Sequence, residues 1–153
     1  MREYGDGTFT LVLLDAGIAT ALSSNDEKNL RDLFRAVVVN DGERAGRLIV
    51  QRAKRENCSK IPGGTDRFAK EIGALIEEFH DGRKKGLTLG AVKIGSLLGR
   101  VLELCRANEV LLEPAMCNVV LSTLVLEGLG RTLDPDLNLI DAALPFIVGR
   151  GKV

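Results

Sequence analysis

Apolar residues recur at helical spacing in one segment after another from residue 23 onward, and this periodicity limits the chain to a mainly helical fold. Capping residues, glycine or proline bound each segment. We predict helices at about 24–39, 43–55, 66–79 and 89–107, and a short last helix at about 139–147. A fifth helix should start at Pro114 and be ended by Gly128, Gly130 and Pro135. With 153 residues and 45% hydrophobic content, the chain can bury one core, so we expect a single domain over residues 1–153.

Short polar side chains mark where most of these helices should begin. Two capping boxes overlap at the first helix, Ser23 with Asp26 and Ser24 with Glu27, and either could close its first turn. Pro114 suits the first turn of the fifth helix. The other predicted caps are Asp41 for the second helix, Thr65 or Asp66 for the third, and Thr88 for the fourth.

The third and fifth helices differ in their apolar pattern. The third helix carries one apolar stripe, and the fifth is apolar on almost every side, so we predict that the fifth is the central helix. Its uncharged run, 114–126, is too short to span a bilayer, which needs about 20 residues. The stripe of the third helix consists of Phe68, Ile72, Leu75, Ile76 and Phe79.

The first residues differ from the rest because they favour strands. Gly5-Asp6-Gly7 is typical of a hairpin turn, which would pair Thr8–Leu14 with Met1–Tyr4. So short a partner leaves an apolar strand with an open edge, which proteins usually avoid. We therefore expect a mainly α fold with a short N-terminal β-hairpin, whose further partners lie upstream.

Composition excludes several functions. Lys plus Arg equals Asp plus Glu at 21 each and aromatics make up 4%, so nothing favours nucleic acid or anionic lipid. The three cysteines are odd in number and far apart, which indicates reduced thiols rather than a zinc site. The N-terminus resembles neither a signal peptide nor a transit peptide, so no targeting signal is expected in this chain.

One carboxylate stands where it could do chemistry. The apolar strand Leu11–Leu14 ends at Asp15, and Gly17 follows one residue later. A sharp turn there could present the carboxylate of Asp15 to a divalent cation, as in the Asp-x-Gly metal loop of a kinase-like site. The alternative is an aspartate that only starts a turn after a strand.

Four stretches together resemble the C-terminal portion of the aarF/UbiB family of atypical kinases, over nearly the whole chain. The sequence Asp15-Ala16-Gly17-Ile18 is most similar to an animal branch of that family. The resemblance implies the helical C-terminal lobe of a protein-kinase-like fold, with Mg²⁺ and ATP as cofactors. It also implies mitochondrial localisation, a link to coenzyme Q biosynthesis and lipid homeostasis, and a lipid or quinone-related small molecule as ligand. The stretches are Leu11–Gly17, Ala36–Gly42, Leu126–Pro135 and Ala143–Phe146.

The same resemblance assigns roles to residues. Asp15 corresponds to the magnesium-binding aspartate of the kinase Asp-Phe-Gly motif, with Gly17 beside it at the cofactor. Ala16 replaces the usual aromatic, so the packing that sets active and inactive kinase states is missing. The family's structural hallmark is carried by Glu127, Gly128, Arg131, Asp134 and Pro135.

A kinase needs more than this chain supplies. The phosphate loop, the lysine–glutamate pair and the catalytic loop all precede the Asp-x-Gly element in a kinase. We therefore expect a fragment that lacks the N-lobe, has that missing lobe as its partner, and is not catalytic alone. Gly63-Gly64 lies between helices and is no substitute for a phosphate loop. Only about six residues separate Gly17 from the capping serines Ser23 and Ser24, too few for a protein-kinase activation segment, which favours a small substrate.

The remaining candidates have simpler explanations. We predict that His80 ends the third helix as a helix-end cation or solvated residue. Arg83-Lys84-Lys85 should be a solvated run. Glu127 and Arg131 are four residues apart on a helix, which predicts an ion pair. The alternative function is a noncatalytic helical module that docks an exposed apolar surface onto a partner.

Overall fold

The computed structural model describes residues 2–3, 9–10, 21–84 and 94–134, with residues 143, 145 and 147. Apart from a two-stranded ladder and one 3₁₀ turn, the elements in these ranges are α-helices, so the mainly helical fold class is confirmed. No helix in the described ranges is both long and apolar enough to cross a bilayer. The elements are β1 (Arg2–Glu3), β2 (Phe9–Thr10), α1 (Ser24–Val38), α2 (Gly42–Gln51), a 3₁₀ turn (Cys58–Lys60), α3 (Gly64–Lys84), α4 (Ile94–Ala107) and α5 (Pro114–Leu133).

The two strands form an antiparallel pair. Arg2 lies opposite Thr10, and Glu3 lies opposite Phe9. This register is the one expected for a hairpin that turns at residues 5–7. The turn itself and the apolar run 11–14 fall outside the described residues.

The helix starts show which caps are used. The hydroxyl oxygen of Ser23 accepts the backbone N–H of Asp26 at 3.1 Å and donates to its carboxylate at 2.7 Å, so the first of the two capping boxes closes α1. The carboxylate of Asp41 accepts the backbone N–H of Arg44 at 3.2 Å and caps α2. Pro114 occupies the first turn of α5, as predicted.

The end of α2 differs from the prediction because of a tertiary contact. The helix stops at Gln51 rather than near residue 55. After it, the N–H of Lys54 donates to the carbonyl of Leu111, and the N–H of Leu111 donates to the carbonyl of Arg55, both at 2.8 Å. These two bonds hold the chain extended beside the segment that leads into α5. A longer α2 could not form them, because its backbone groups would bond within the helix.

The bounds of α3 also differ. The helix begins at Gly64, so the predicted cap at Thr65 or Asp66 is wrong. Gly63 has a left-handed φ of 71°, and a Cβ on Gly64 would lie only 2.4 Å from the carbonyl oxygen of Cys58, so this start requires glycine. At its other end α3 continues to Lys84. The predicted cap Thr88 and almost all of the predicted last helix, 139–147, lie outside the described residues.

The core is built around α3 packed closely on α2. Phe68, Ile72 and Ile76 of α3 are fully buried. A Cβ added to Gly42 would lie 2.7 Å from the Cα of Gly73, and one added to Gly46 would lie 2.6 Å from the Cα of Ala69. The two helix backbones therefore touch, and the glycines of α2 make this approach possible. All five residues of the predicted α3 stripe are buried.

The prediction that the fifth helix is central is wrong. None of the described residues of α5 is fully buried, and Val125 and Leu133 are 71% and 78% exposed. Among the described elements, α4 and α1 pack against one side of this helix, which places it at the edge of the described bundle. It also continues through Gly128 and Gly130, which were predicted together with Pro135 to end it, and stops at Leu133, two residues before Pro135. We name its exposed apolar residues the α5 stripe: Leu121, Val125, Leu126, Leu129 and Leu133.

Two glycine-to-alanine substitutions test this arrangement. Gly46→Ala should lower the free energy of unfolding by about 1–3 kcal/mol, because its methyl group would overlap the backbone of α3. Gly128→Ala should raise it by about 0.5–1 kcal/mol, because the new methyl group meets open space inside a helix. Urea unfolding followed by circular dichroism measures both. Changes of the same sign would contradict the close contact of α2 and α3.

Candidate functional site

The residues predicted to bind magnesium are not among those that the structure describes. Asp15 and Gly17 lie outside the described residues, so their roles stay predictions. Within the described ranges, no group of three or more His, Cys, Asp and Glu side chains could hold a metal ion. The site with defined geometry is instead the contact of α5 with the beginning of α4, which is centred on Glu127.

Glu127 binds the start of a neighbouring helix with both carboxylate oxygens. Its Oε1 accepts the backbone N–H of Ile94 at 3.0 Å, and its Oε2 accepts the N–H of Gly95 at 2.6 Å. The side chain is only 12% exposed. The first N–H groups of a helix have no partner within the helix, and a carboxylate there also interacts favourably with the helix dipole. Glu127 therefore caps α4 from another helix.

Gly95 is the residue that lets the carboxylate approach so closely. A Cβ on Gly95 would lie 2.8 Å from Oε2 of Glu127 and 3.0 Å from a methyl carbon of Leu124. The sequence did not predict that the N–H groups of Gly95 and Ile94 bind Glu127. The partners lie more than thirty positions apart along the chain, and no short spacing signals the pair.

Of the other hallmark residues predicted from the sequence, Arg131 lies at this contact. The ion pair expected from the spacing is present, with Nε of Arg131 3.3 Å from Oε1 of Glu127 and Arg131 22% exposed. Asp134 caps the C-terminus of α5, where its N–H donates to the carbonyl of Gly130 at 2.8 Å. Gly128 is exposed, and Pro135 lies outside the described residues. The structure thus gives Glu127 and Arg131 a place between helices, and shows no reacting group beside them in the described ranges.

His80 is not the helix-end residue predicted from the sequence. It lies inside α3, half-buried, with Nε2 2.7 Å from the carbonyl oxygen of Val37. Its ring meets that of Phe79 edge-on at 5.8 Å. The histidine therefore adds a second contact to the carbonyl of Val37 in the last turn of α1, which also accepts the backbone N–H of Asn40 at 3.1 Å. Arg83 and Lys84 end α3, but their side chains and Lys85 are outside the description.

The cysteines behave as the composition predicts. All three are free thiols; Cys58 and Cys105 are buried, and Cys117 is half-buried. Burial raises the pKa of Cys105 to about 12 and also raises the pKa of Cys58. Because the thiolate is the reactive form, these two buried thiols are poor nucleophiles near neutral pH.

Comparison with protein families places the α4–α5 region in a named domain. Residues 83–138 match the UbiB helical domain. This range includes both helices and the whole Glu127 contact. No solved structure matches this chain.

Curated relatives match over most of the chain. A mitochondrial ABC1 family protein of Schizosaccharomyces pombe is 38% identical over 138 residues, which is 90% of this chain and 19% of that protein. A mitochondrial ABC1 family protein of Saccharomyces cerevisiae is 34% identical, over 90% of this chain and 20% of the relative. A probable serine/threonine-protein kinase of Dictyostelium discoideum is 29% identical, over 96% and 20%. The chain thus spans about one fifth of the length of these relatives.

Removing the carboxylate of Glu127 should destabilise the α4–α5 contact. Glu127→Ala should lower the free energy of unfolding by about 1–3 kcal/mol, because two backbone N–H groups lose a charged acceptor. Glu103→Ala, an exposed glutamate of α4, is the matched control and should change it by less than about 0.5 kcal/mol.

Hydrogen exchange gives the local test of the same variant. The amide protons of Ile94 and Gly95 should exchange faster in Glu127→Ala than in the native chain, since they lose their acceptor. Unchanged protection at both amides would show that Glu127 does not cap α4 in solution.

Proposed function

Because this chain belongs to the UbiB/ABC1 family, also called aarF, we propose that it is the C-terminal lobe of an ATP-dependent atypical kinase or ATPase. The match of 90% of the chain to ABC1 family proteins carries this proposal. The Dictyostelium discoideum relative, named a probable serine/threonine-protein kinase, supports phosphoryl-transfer chemistry in the family. The two fungal relatives are named mitochondrial, which supports the same location here.

Asp15 is the proposed magnesium ligand. The support is the sequence: an apolar strand, a single carboxylate and Gly17 in the order of the kinase Asp-x-Gly loop. Mg²⁺ held there would neutralise charge on the ATP phosphates. The role of Asp15 is to supply one oxygen ligand, and the role of Gly17 is to let the backbone turn away from the phosphates.

The proposed substrate is a small or lipid-like molecule rather than a protein. Only five residues lie between Gly17 and the capping residue Ser23, where protein kinases carry a long activation segment. That leaves little surface on which a protein substrate could dock. The family resemblance adds a lipid or quinone-related molecule and a link to coenzyme Q biosynthesis and lipid homeostasis.

The chain alone should not turn over ATP. One carboxylate cannot position the phosphates, neutralise their charge and also act as a base, and a kinase divides these tasks among several elements. We expect the missing N-terminal lobe to supply the phosphate-binding and catalytic groups.

Substitution of Asp15 tests this function. The purified chain should release no phosphate from ATP above the Asp15→Ala background. The affinity of the chain for Mg-ATP, measured by titration calorimetry, should fall at least roughly tenfold in Asp15→Ala. Loss of a group that supports a metal site has an effect of that size. Asp66→Ala, an exposed aspartate of α3, is the matched control and should leave it unchanged. Magnesium-dependent turnover by the native chain would contradict the expected inactivity, and binding unaffected by Asp15→Ala would contradict the metal role.

A noncatalytic helical interaction module is the second candidate, and the α5 stripe favours it. Four of its residues, at positions 121, 125, 129 and 133, follow one another at helical steps of four, and all are more than half exposed. Contiguous apolar surface of this kind marks interaction sites. The proposed partner is the missing N-terminal lobe, because the relatives contain about five times the length that this chain spans.

Introducing two charges into the α5 stripe tests the proposed partner. The double variant Val125→Asp, Leu129→Asp should weaken binding to the unmatched part of the Schizosaccharomyces pombe relative at least tenfold, as two desolvated charges would. Asn118→Asp, exposed on the same helix, is the control for added charge. If the chain is such an interaction module, Asp15→Ala should leave its affinity for this partner unchanged. Self-association of the native chain that the double variant abolishes would assign the stripe to a second copy and overturn the proposed partner.

A further inference from the structure

An apolar pocket of about 90 Å³ lies where α1, α2, α4 and α5 meet. None of the residues that line it belongs to the Glu127 contact. Each of the four helices contributes aliphatic side chains to its wall. Six of the lining residues are Leu33, Ile49, Leu98, Val101, Met116 and Val119.

The interior of this four-helix pocket suits an apolar group better than water. A buried water needs two to four polar partners, and the wall around the interior is aliphatic. No buried side-chain nitrogen or oxygen in the described ranges lacks a hydrogen-bond partner, so none is left waiting for a water. Apolar cavities of about 150 Å³ in other proteins stay dry and bind benzene or xenon. A pocket of 90 Å³ can take the end of a short alkyl chain.

Charges at the rim of the four-helix pocket select the other end of the ligand. Asp26, half-buried, and Glu113, exposed, are among the residues that line the pocket, as is Arg52. Charged side chains that keep access to solvent stand at the rim of an apolar pocket, because burying them unpaired is costly. The guanidinium of Arg52 is already paired, with Nη2 3.0 Å from the carboxylate of Asp32 and Nη1 bound to the carbonyl of Asn29. Since Asp32 offsets the charge of Arg52, the carboxylates of Asp26 and Glu113 leave the rim negative. A cationic head group complements it.

We propose that the four-helix pocket binds a small amphipathic amine, with its alkyl end between α1, α2, α4 and α5 and its ammonium group beside Asp26 and Glu113. The occupant is a small molecule because the wall encloses room for only a few carbon atoms. The proposal does not depend on the kinase-like function, since neither Asp15 nor ATP takes part in it.

Filling the pocket tests the site for the alkyl end. Hexylamine is the probe, and its affinity for the full chain is measured from chemical shifts of the methyl groups of Val119 and Leu33. Ala115 lines the pocket, and Ala115→Leu should weaken hexylamine at least tenfold by occupying the space. Ala74→Leu makes the same change at an exposed position of α3 and should leave the affinity unchanged. Equal affinity in the native chain and a folded Ala115→Leu variant overturns the proposal.

A second variant keeps the test decisive if Ala115→Leu does not fold. Val119→Ala enlarges the pocket, so hexylamine should bind at least as tightly and should still shift the methyl groups of Leu33. Loss of those shifts, with the fold intact, overturns the placement of the alkyl end.

Head-group comparison tests the rim. Hexylamine should bind more tightly than hexanol, and hexanol more tightly than hexanoate, because the carboxylates attract a cation and repel an anion. Glu113→Gln should weaken hexylamine roughly two- to fivefold without affecting hexanol, as expected for one solvent-exposed charge. Glu113 makes no side-chain cap to α5, so this change does not remove a helix cap.

Glu103→Gln removes an exposed glutamate outside the pocket and is the control. Hexanoate binding as tightly as hexylamine overturns the cationic head. Equal binding of all three probes would mean that the pocket binds an apolar group whatever its head group, as it would bind an apolar side chain of a partner protein. That outcome also overturns the proposal.

Discussion

The contact between the backbones of α2 and α3 is the constraint on which the rest of the structure depends. Gly42 and Gly46 lie so close to Gly73 and Ala69 that no side chain fits between the helices. This approach brings the fully buried residues of α3 against α2, and α1 then packs on α2 and α4 on α3. The bidentate pair of Arg100 with Glu78, at 2.8 and 2.9 Å, then joins α4 to α3, and it lowers the pKa of the Glu78 carboxyl.

Polar contacts hold α5 where apolar burial is incomplete. None of its described residues is fully buried, and its position at the edge of the bundle leaves the α5 stripe exposed. The carboxylate of Glu127 compensates in part, because a charged acceptor with two N–H donors is stronger than a neutral hydrogen bond. The matched UbiB helical domain contains this contact, so the hallmark glutamate has a structural explanation that needs no catalytic role.

The proposed functions depend on different residues. The kinase-like proposal depends on Asp15, which precedes α1 in the chain. The interaction proposal depends on the outer side of α5, and the amine pocket on its inner side, where Met116 and Val119 face α1 and α4. Each can therefore fail without the others, and substitutions on opposite sides of α5 separate the last two.

The sequence by itself determined which segments are helical and how several of them begin. Ser23, Asp41 and Pro114 act locally, within one turn of their own helix, so their roles can be read without knowing the fold. The buried stripe of α3 was determined in the same way, because helical spacing shows which side of a helix is apolar.

Only the tertiary structure decided which apolar sides meet. Periodicity carries no information about neighbours, so the uniformly apolar α5 was wrongly placed at the centre, and α3 occupies that position through the glycines of α2. The partners of Glu127 and the bond from His80 to the carbonyl of Val37 depend in the same way on residues distant in the chain. Such contacts arise from helix packing, which no local spacing encodes.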